Sequence, residues 1–265
     1  MTIGVDFSES DGVAIIKLNR PDVLNAIDLE TAKALREAVI EAERDPSVRC
    51  VLLTGAGKHF SAGGDVRFFH GTLDLPLAER QRVFDEILHV LNDVVPRLRQ
   101  MPKPVVGSAR GAVAGLGVSL IAACDIAIAT ADAMFSMAYC AIGGVPDSGA
   151  SAAVAKLSNR KRAAELLLLG ERFDAHEAMR LGLIGRVVEP DALDEATNAI
   201  CAKLAAGPTW ALGRAKRLLG SAETTSLETQ LALERSAFVE CVATADFAEG
   251  LKAFVERRRP TFVGA

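Results

Sequence analysis

Two spacings of apolar residues alternate along the first two-thirds of the chain, one typical of strands and the other of helices. Residues 13–18 (Val-Ala-Ile-Ile-Lys-Leu) and 50–54 (Cys-Val-Leu-Leu-Thr) are short apolar runs that favour buried strands. Between them, apolar residues recur every three or four positions after Asp28, a good capping residue, so we predict a helix over residues 28–44. Pro21 ends the first strand, because proline cannot continue a ladder of hydrogen bonds.

The alternation of strands and helices continues to about residue 190 and then stops. We predict a helix over residues 76–100, a strand over 104–109, a glycine-rich turn with a helix through Ala123, and a strand over 125–130. From Asp191 onward the pattern is helical, over residues 191–206, 208–219 and 227–258, with a break near 243–246. Alternating strands and helices indicate an α/β fold, so we predict a core over residues 1–190 and a helical C-terminal region over 191–265.

Composition and charge argue against several classes of protein. The 34 acidic and 30 basic residues give a net charge of -4 without a long basic run, which argues against a nucleic-acid partner. The five cysteines are odd in number and widely spaced among apolar neighbours, so we expect reduced core residues in a cytoplasmic protein. The first residues lack the basic and apolar segments of an export signal, and no uncharged apolar stretch of about 18 residues predicts a membrane span.

Two glycine-rich turns, each between a strand and a helix, are the first candidates for a functional site. They comprise residues 55–65 and 110–117. In each turn, backbone N–H groups and the positive end of the following helix can stabilise an oxyanion, so two donors can converge on one oxygen. Taken singly, each turn is more typical of a glycine turn that only allows a strand and a helix to pack closely. Neither contains the Gly-x-x-x-x-Gly-Lys-Ser/Thr motif of a phosphate-binding loop.

Several short motifs follow one another in order along almost the entire chain. They occupy residues 19–26, 60–65, 102–106 with Gly111, 123–126, 135–136, 143–146, 170–175, 182–184 and 254–262. Together they resemble the signatures of the enoyl-CoA hydratase/isomerase (crotonase) family. Residues 19–26 resemble its opening Asn-Arg-Pro-x-x-x-Asn-Ala motif, and residues 60–65 (Phe-Ser-Ala-Gly-Gly-Asp) resemble its Phe-Ser/Cys-Ala-Gly-x-Asp loop.

The resemblance implies a fold, an assembly and a substrate. The fold would be a crotonase-like spiral of strand-strand-helix turns with a C-terminal helical region that packs trimers, so we expect a homotrimer or a hexamer. The substrate would be an acyl-CoA thioester, and no separate cofactor is expected. The N–H groups of Gly64 and Leu116 would hold the thioester oxygen as negative charge develops. The resemblance places substrate contacts at Val23, Ala26, Ala62, Gly63, Gly64, Asp65, Val66, Gly115, Leu116 and Phe254.

The reaction depends on which acid or base faces this oxyanion hole. Hydratases of the family use two glutamates, and this chain has Ser119 and Tyr139 at the matching positions. Neither hydroxyl is a natural base at neutral pH. Asp147 is the carboxylate that remains, at a position where some isomerases of the family carry an acid. We therefore predict an isomerase in which Asp147 moves a proton from C2 to C4, with Tyr139 as a further candidate catalytic residue.

Other interpretations of these residues stay open. Asp147 can instead cap the helix that follows it, as Asp65 can cap the helix after the first glycine turn. A hydratase with atypical acid and base groups is the second functional candidate, and a non-catalytic acyl-CoA binder is the third. An acyl-CoA dehalogenase would need Tyr139 with His70 or His89 beside an attacking Asp147. The four histidines show no spacing typical of a metal site, so we expect none.

Overall fold

The computed structural model describes residues 4–265 and is organised around a six-stranded sheet. The strands found within those residues are β1 (Val5–Ser10), β2 (Val13–Leu18), β3 (Cys50–Gly55), β4 (Val105–Ala109), β5 (Ala112–Ala114), β6 (Ile126–Thr130), β7 (Met134–Ser136), β8 (Phe173–Asp174) and β9 (Arg186–Val188). The large sheet has the order β1-β2-β3-β4-β6-β9, with β1 antiparallel to β2 and the later neighbours parallel. A smaller sheet has the order β5-β7-β8.

Helices connect the strands and form the C-terminal part of the chain. They are α1 (Leu29–Arg44), α2 (Val66–Gly71), α3 (Leu77–Gln100), α4 (Leu116–Ala123), α5 (Ala150–Leu157), α6 (Arg160–Ala164), α7 (Ala175–Arg180), α8 (Leu193–Ala205), α9 (Thr209–Ala222), α10 (Leu227–Val242) and α11 (Ala245–Val255). Asp28 caps α1 as predicted, because its side chain accepts a hydrogen bond from the N–H of Thr31. The strands predicted from residues 13, 50, 104 and 125, and the two long helices between them, are confirmed.

Successive turns of the chain give one strand to each sheet before a helix follows. β4, β5 and α4 form one such unit, and β6, β7 and α5 form the next. Two isolated bridges, between Ile27 and Gly64 and between Ser61 and Val113, add the earlier segments to the same pattern. Parallel neighbours need crossover connections of this kind, and the helices provide them. The predicted spiral of strand-strand-helix turns is confirmed.

The large sheet is buried on both faces. Along β3, Val51 and Leu53 pack into the main apolar cluster, which includes residues of α1 and α3. Cys50 and Leu52 point to the other face and pack in a second cluster with residues of α8. A parallel strand covered on both faces needs apolar residues at every position, which explains the continuous apolar run at residues 50–53.

The C-terminal region is helical, as predicted, and its last long segment is broken between α10 and α11. Thr244 caps α11 by accepting a hydrogen bond from the N–H of Phe247, which gives the break a local cause. α8 packs against the large sheet, so apolar contacts of the core extend past residue 190. The division of the chain at that residue stays a prediction.

Some details differ from what the sequence suggested. The pattern did not predict β1, an edge strand with mostly exposed residues, or β5, which is three residues long and lies inside the second glycine turn. Cys140 is exposed, so the expectation that every cysteine lies in the core is wrong there, whereas Cys50 and Cys201 are buried. None of the helices between residues 4 and 265 combines the length and the apolar character needed to span a bilayer.

Candidate active site

The glycine turn after β3 is fixed by hydrogen bonds to neighbouring segments. The Ser61 hydroxyl accepts from the N–H of Gly63 at 3.1 Å and donates to the carbonyl of Asn25 at 2.9 Å. Gly63 has a φ of 89°, and a Cβ added to it would lie 2.7 Å from the carbonyl oxygen of Ala114. Both the backbone conformation and the close approach therefore require glycine at this position.

The N–H of Gly64 is free, although the backbone N–H groups on both sides are bonded. It has no hydrogen-bond partner in the described part of the chain, whereas the N–H of Gly63 donates to Ser61 and that of Asp65 donates to the carbonyl of Ile27. The carbonyl of Gly63, in the same peptide unit as the N–H of Gly64, accepts from the N–H of Ile27 at 2.8 Å. Because the C=O and N–H of a trans peptide point in opposite directions, the N–H of Gly64 is aimed away from Ile27.

A second free N–H lies in the adjoining turn. Leu116 begins α4, and between residues 4 and 265 its N–H finds no hydrogen-bond acceptor. The carbonyl of Gly115, in the same peptide unit, accepts from the N–H of Val118 at 3.0 Å, so the N–H of Leu116 points out of the helix start. A Cβ added to Gly63 would lie 3.3 Å from the nitrogen of Leu116, which shows how closely the two turns approach. Two free donors in contacting turns can form an oxyanion hole.

Asp147 precedes α5 but does not cap it. The N-cap of α5 is Gly149, with a φ of 85°, and no side chain accepts a hydrogen bond there, so the capping interpretation of Asp147 is wrong. Its Oδ1 instead accepts a hydrogen bond from the Tyr139 hydroxyl at 3.1 Å. Burial raises the pKa of Asp147 above its usual value, and the Tyr139 hydrogen bond partly offsets this. A carboxylate with a raised pKa is better suited to proton transfer near neutral pH.

Tyr139 and Ser119 complete a small polar cluster around Asp147. Tyr139 is 8% exposed, and burial together with the Asp147 charge raises the pKa of its hydroxyl, so the phenol stays protonated at neutral pH. Ser119 lies on α4, is 2% exposed, and its hydroxyl donates to the backbone carbonyl of Asp147 at 3.4 Å. The fold therefore brings together three residues that are spread over 28 positions of the sequence.

A cavity of about 710 Å³ adjoins the two glycine turns. Asp132 is the single carboxylate among the residues that line it. The Nε of Arg110 and the Oγ1 of Thr130 are buried in its wall and lack hydrogen-bond partners among residues 4–265. Unpaired buried donors are costly, so this wall is suited to a polar ligand. Other lining residues are Leu24, Lys58, Ala62, Ala114 and Arg172.

The remaining predicted contact residues differ in their surroundings. Ala26 is buried, Val23 is half-buried, and Val66 is the exposed first residue of α2. Asp65 caps α2 as predicted, because its Oδ1 accepts from two N–H groups of the first turn at 3.0 and 3.1 Å. Phe254 lies on α11, is 85% exposed and does not line the cavity. The structure thus brings the predicted turn residues together and leaves Phe254 apart from the cavity wall.

The histidines hold no catalytic position in this arrangement. His59 accepts a hydrogen bond from the N–H of Ala112 at 3.0 Å through Nδ1 and so joins the two glycine turns. His70 and His89 are exposed on α2 and α3. Neither is hydrogen-bonded to Asp147 in the part of the chain that the structure describes, so the cluster that a dehalogenase would need is not formed.

Some residues of the site were not singled out from the sequence. Arg110 belongs to the second glycine turn, and its place in that motif was a usable signal for a ligand contact. Arg172 stands in the motif at residues 170–175, but the pattern gave no role for its side chain, which reaches the cavity from the residue just before β8. Arg20 stands in the opening motif, but the pattern gave no role for its side chain.

Known proteins resemble this chain along almost its whole length. The profile of the family described as enoyl-CoA hydratase/isomerase matches residues 8–265. The chain is 38% identical over 253 residues to 1,2-epoxyphenylacetyl-CoA isomerase of Escherichia coli, covering 96% of this chain and 95% of that protein. It is 32% identical over 254 residues to short-chain-enoyl-CoA hydratase of Clostridium acetobutylicum, covering 95% and 94%. The crystal structure of an enoyl-CoA hydratase from Polaromonas sp. JS666 superposes with a TM-score of 0.90 at 32% identity, covering 97% of this chain and 99% of that one.

Proposed function

Because this chain belongs to the enoyl-CoA hydratase/isomerase family, we propose that it shifts a carbon–carbon double bond within an unsaturated acyl-CoA thioester. The observation that carries this proposal is the half-buried Asp147, the carboxylate of a cluster whose other members are Ser119 and Tyr139. One carboxylate that releases the proton it accepts is sufficient for isomerisation, whereas hydration also requires a group that activates water. Similarity to an acyl-CoA isomerase over most of the chain supports this choice.

The proposed reaction begins with ionised Asp147, which removes a proton from C2 of a 3-enoyl thioester. The C2–H electron pair forms a double bond between C1 and C2, and the carbonyl π electrons move onto the thioester oxygen, which gives a dienolate with its negative charge on that oxygen. The N–H groups of Gly64 and Leu116 stabilise that charge, because both donors are fixed in position before the reaction. Asp147 then returns the same proton to C4, which leaves the double bond between C2 and C3. No separate cofactor is needed, because only a proton and a double bond move.

We propose that the cavity beside the glycine turns receives the CoA part of the substrate. Lys58, Arg110 and Arg172 are cationic residues of its lining, and the guanidinium of Arg110 is also paired with Asp194. The phosphate groups of CoA need such cations, and a planar guanidinium can bind phosphate through two hydrogen bonds. The unpaired Nε of Arg110 supports this assignment.

The test is to supply a 3-enoyl-CoA and a 2-enoyl-CoA separately to the purified protein. We expect conversion of the 3-enoyl thioester to its conjugated 2-enoyl isomer, and loss of that conversion in Asp147→Ala. Rapid hydration of the 2-enoyl thioester that persists undiminished in Asp147→Ala would contradict the proposal. An exposed carboxylate, Asp191, provides the matched control Asp191→Ala.

A hydratase is the second candidate, and one observation favours it. Asp147 and the Tyr139 hydroxyl are 3.1 Å apart, which places two proton-transfer groups in one site, the number that hydration needs. The raised pKa of Tyr139 weighs against it, because a protonated phenol cannot activate water. Measuring hydration by Tyr139→Phe with a 2-enoyl-CoA separates the two candidates, since only a hydratase would lose this activity.

We also propose that the protein assembles as a homotrimer, alone or paired into a hexamer. Large apolar side chains are exposed on α10 and α11, among them Phe238, Val239, Phe254 and Val255. Contiguous exposed apolar surface is typical of a protein–protein interface. Sedimentation equilibrium gives the mass directly, and a concentration-independent monomer would contradict this assembly.

A further inference from the structure

Arg20 connects segments on both sides of the turn that carries the free N–H of Gly64. It lies between β2 and α1, and its side chain is 23% exposed. Its Nη1 donates to the carbonyl of Ala26 at 2.7 Å and lies 3.1 Å from Oδ2 of Asp28. Its Nη2 lies 3.0 Å from Oδ2 of Asp65. One guanidinium therefore contacts three groups from two segments of the chain.

These contacts surround the pairing of Ile27 with Gly64. Ala26 and Asp28 are the residues immediately before and after Ile27, and Asp65 immediately follows Gly64. The Ile27 backbone holds the turn by two hydrogen bonds, one to the carbonyl before Gly64 at 2.8 Å and one from the N–H after it at 2.9 Å. Any shift of residues 26–28 relative to Asp65 therefore rotates the peptide that presents the N–H of Gly64.

We propose that Arg20 is a positioning residue for the oxyanion hole. It keeps the two segments in register, so that the N–H of Gly64 stays aimed at the position of the thioester oxygen. This inference rests on the oxyanion hole of the proposed function, but not on the isomerisation that follows. Arginine is suited to the role because its planar fork bonds two carboxylates and a carbonyl at once, which the point charge of lysine does not reproduce.

The two oxygens of Asp65 have separate tasks, which allows a selective test. Oδ1 accepts the N–H groups of Arg67 and Phe68 and caps α2, whereas Oδ2 faces Arg20. Asp65→Asn can keep the cap through its remaining oxygen while replacing the oxygen that Arg20 bonds with an NH₂ group. The variant therefore breaks the link to Arg20 without removing the helix cap.

The experiment compares Arg20→Lys and Asp65→Asn with the unmodified protein and with Arg162→Lys. Arg162 is a matched control, because it also bridges two carboxylates, Glu165 and Glu177 at 2.9 Å each, and lies outside the glycine turns. Thermal melts establish that each variant is folded. The main readout is the infrared difference spectrum of a bound saturated acyl-CoA with a ¹³C-labelled thioester carbonyl. Hydrogen bonds from an oxyanion hole weaken the C=O bond and shift its stretching band to lower frequency.

We expect Arg20→Lys and Asp65→Asn to reduce this shift and to lower kcat by on the order of 10–100-fold, because a small misplacement of a donor has large kinetic effects. KM should change by less than about threefold, since the donor acts mainly in the transition state. Arg162→Lys should match the unmodified protein.

A full band shift in both folded variants would overturn the inference, as would an unmodified protein that shifts no band. If the unmodified protein shifts the band but isomerises nothing, the proposed function fails and the positioning role stands. Should Arg20→Lys not fold, Asp65→Asn alone decides the result.

Discussion

Replacing Asp147 with asparagine separates proton transfer from every other property of the site. Asparagine has the same size, and its side-chain oxygen can still accept the Tyr139 hydrogen bond that Oδ1 of Asp147 accepts at 3.1 Å. The free N–H groups of Gly64 and Leu116 belong to the backbone and are unaffected. The change therefore removes only the group that we propose as acid and base. Binding of the thioester, and with it KM, should stay close to that of the unmodified protein.

The size of the effect follows from having no second carboxylate in the cluster. General acid–base catalysis contributes about 10²–10⁴-fold, and Tyr139 is held protonated by its raised pKa, so it cannot take over as base. We expect kcat of Asp147→Asn to fall by on the order of 10³–10⁴, which corresponds to about 4–5.5 kcal/mol of transition-state stabilisation. The assay follows the ultraviolet absorbance of the conjugated 2-enoyl thioester as it forms from a 3-enoyl-CoA. Retention of more than about one-tenth of kcat would refute the role of Asp147.

The same variant should be more stable at neutral pH. Burial raises the pKa of Asp147 in the folded protein, so folding favours its protonated form. The stabilising contribution of a group with a raised pKa is present below its unfolded pKa, about 3.9 for aspartate, and is lost as pH rises through the folded value. Asp147→Asn should therefore raise Tm at pH 7 and lose this advantage towards pH 4. A lower Tm at pH 7 would contradict the assigned burial penalty.

Three further substitutions test separate parts of the structure. Gly63→Ala should lower kcat by on the order of 10²–10³ in steady-state assays, because the added Cβ would lie 2.7 Å from the carbonyl oxygen of Ala114 and displace one N–H donor of the oxyanion hole. An unchanged kcat would exclude a catalytic role for this turn. Tyr139→Phe should move the acid limb of the pH–rate profile to higher pH, because the substitution removes a hydrogen bond that lowers the pKa of Asp147. An acid limb at the same pH as in the unmodified protein would contradict this prediction. Lys216→Met should destabilise the protein by roughly 1–3 kcal/mol in urea unfolding, because it removes the buried ammonium that bonds to the carboxylate of Asp125 at 2.7 Å; adding Asp125→Asn should restore part of that loss.

Regular periodicity explains which parts of the fold the sequence predicted. α1 and α3 repeat apolar residues at helical spacing, and β3 is a continuous apolar run, so burial alone identifies them. β1 lacks that signal, because it is an edge strand whose residues are mostly exposed. β5 is too short for any period to be visible. Local patterning therefore detects elements that bury a face and misses those that depend on pairing.

Local sequence patterns also fail to predict some side-chain contacts of the candidate site. Asp147 was recognised as important, but its alternative role as a helix cap was wrong because two residues intervene in the left-handed conformation, Ser148 with a φ of 46° and Gly149 with a φ of 85°. They carry the chain past Asp147 before α5 starts, and its carboxylate is left to meet Tyr139. No spacing rule predicts that contact between residues eight positions apart.

The close approach of the turns at Gly63 and Leu116 affects how the activity of this protein can evolve. In the proposed mechanism, the groups that polarise the thioester are backbone amides, which survive most substitutions, whereas the group that selects the reaction is one carboxylate on a different loop. Selection can thus exchange residues 119, 139 and 147 without rebuilding the part that activates the substrate. A library randomised at those three positions should yield proteins that still exchange the C2 proton with solvent but release different products.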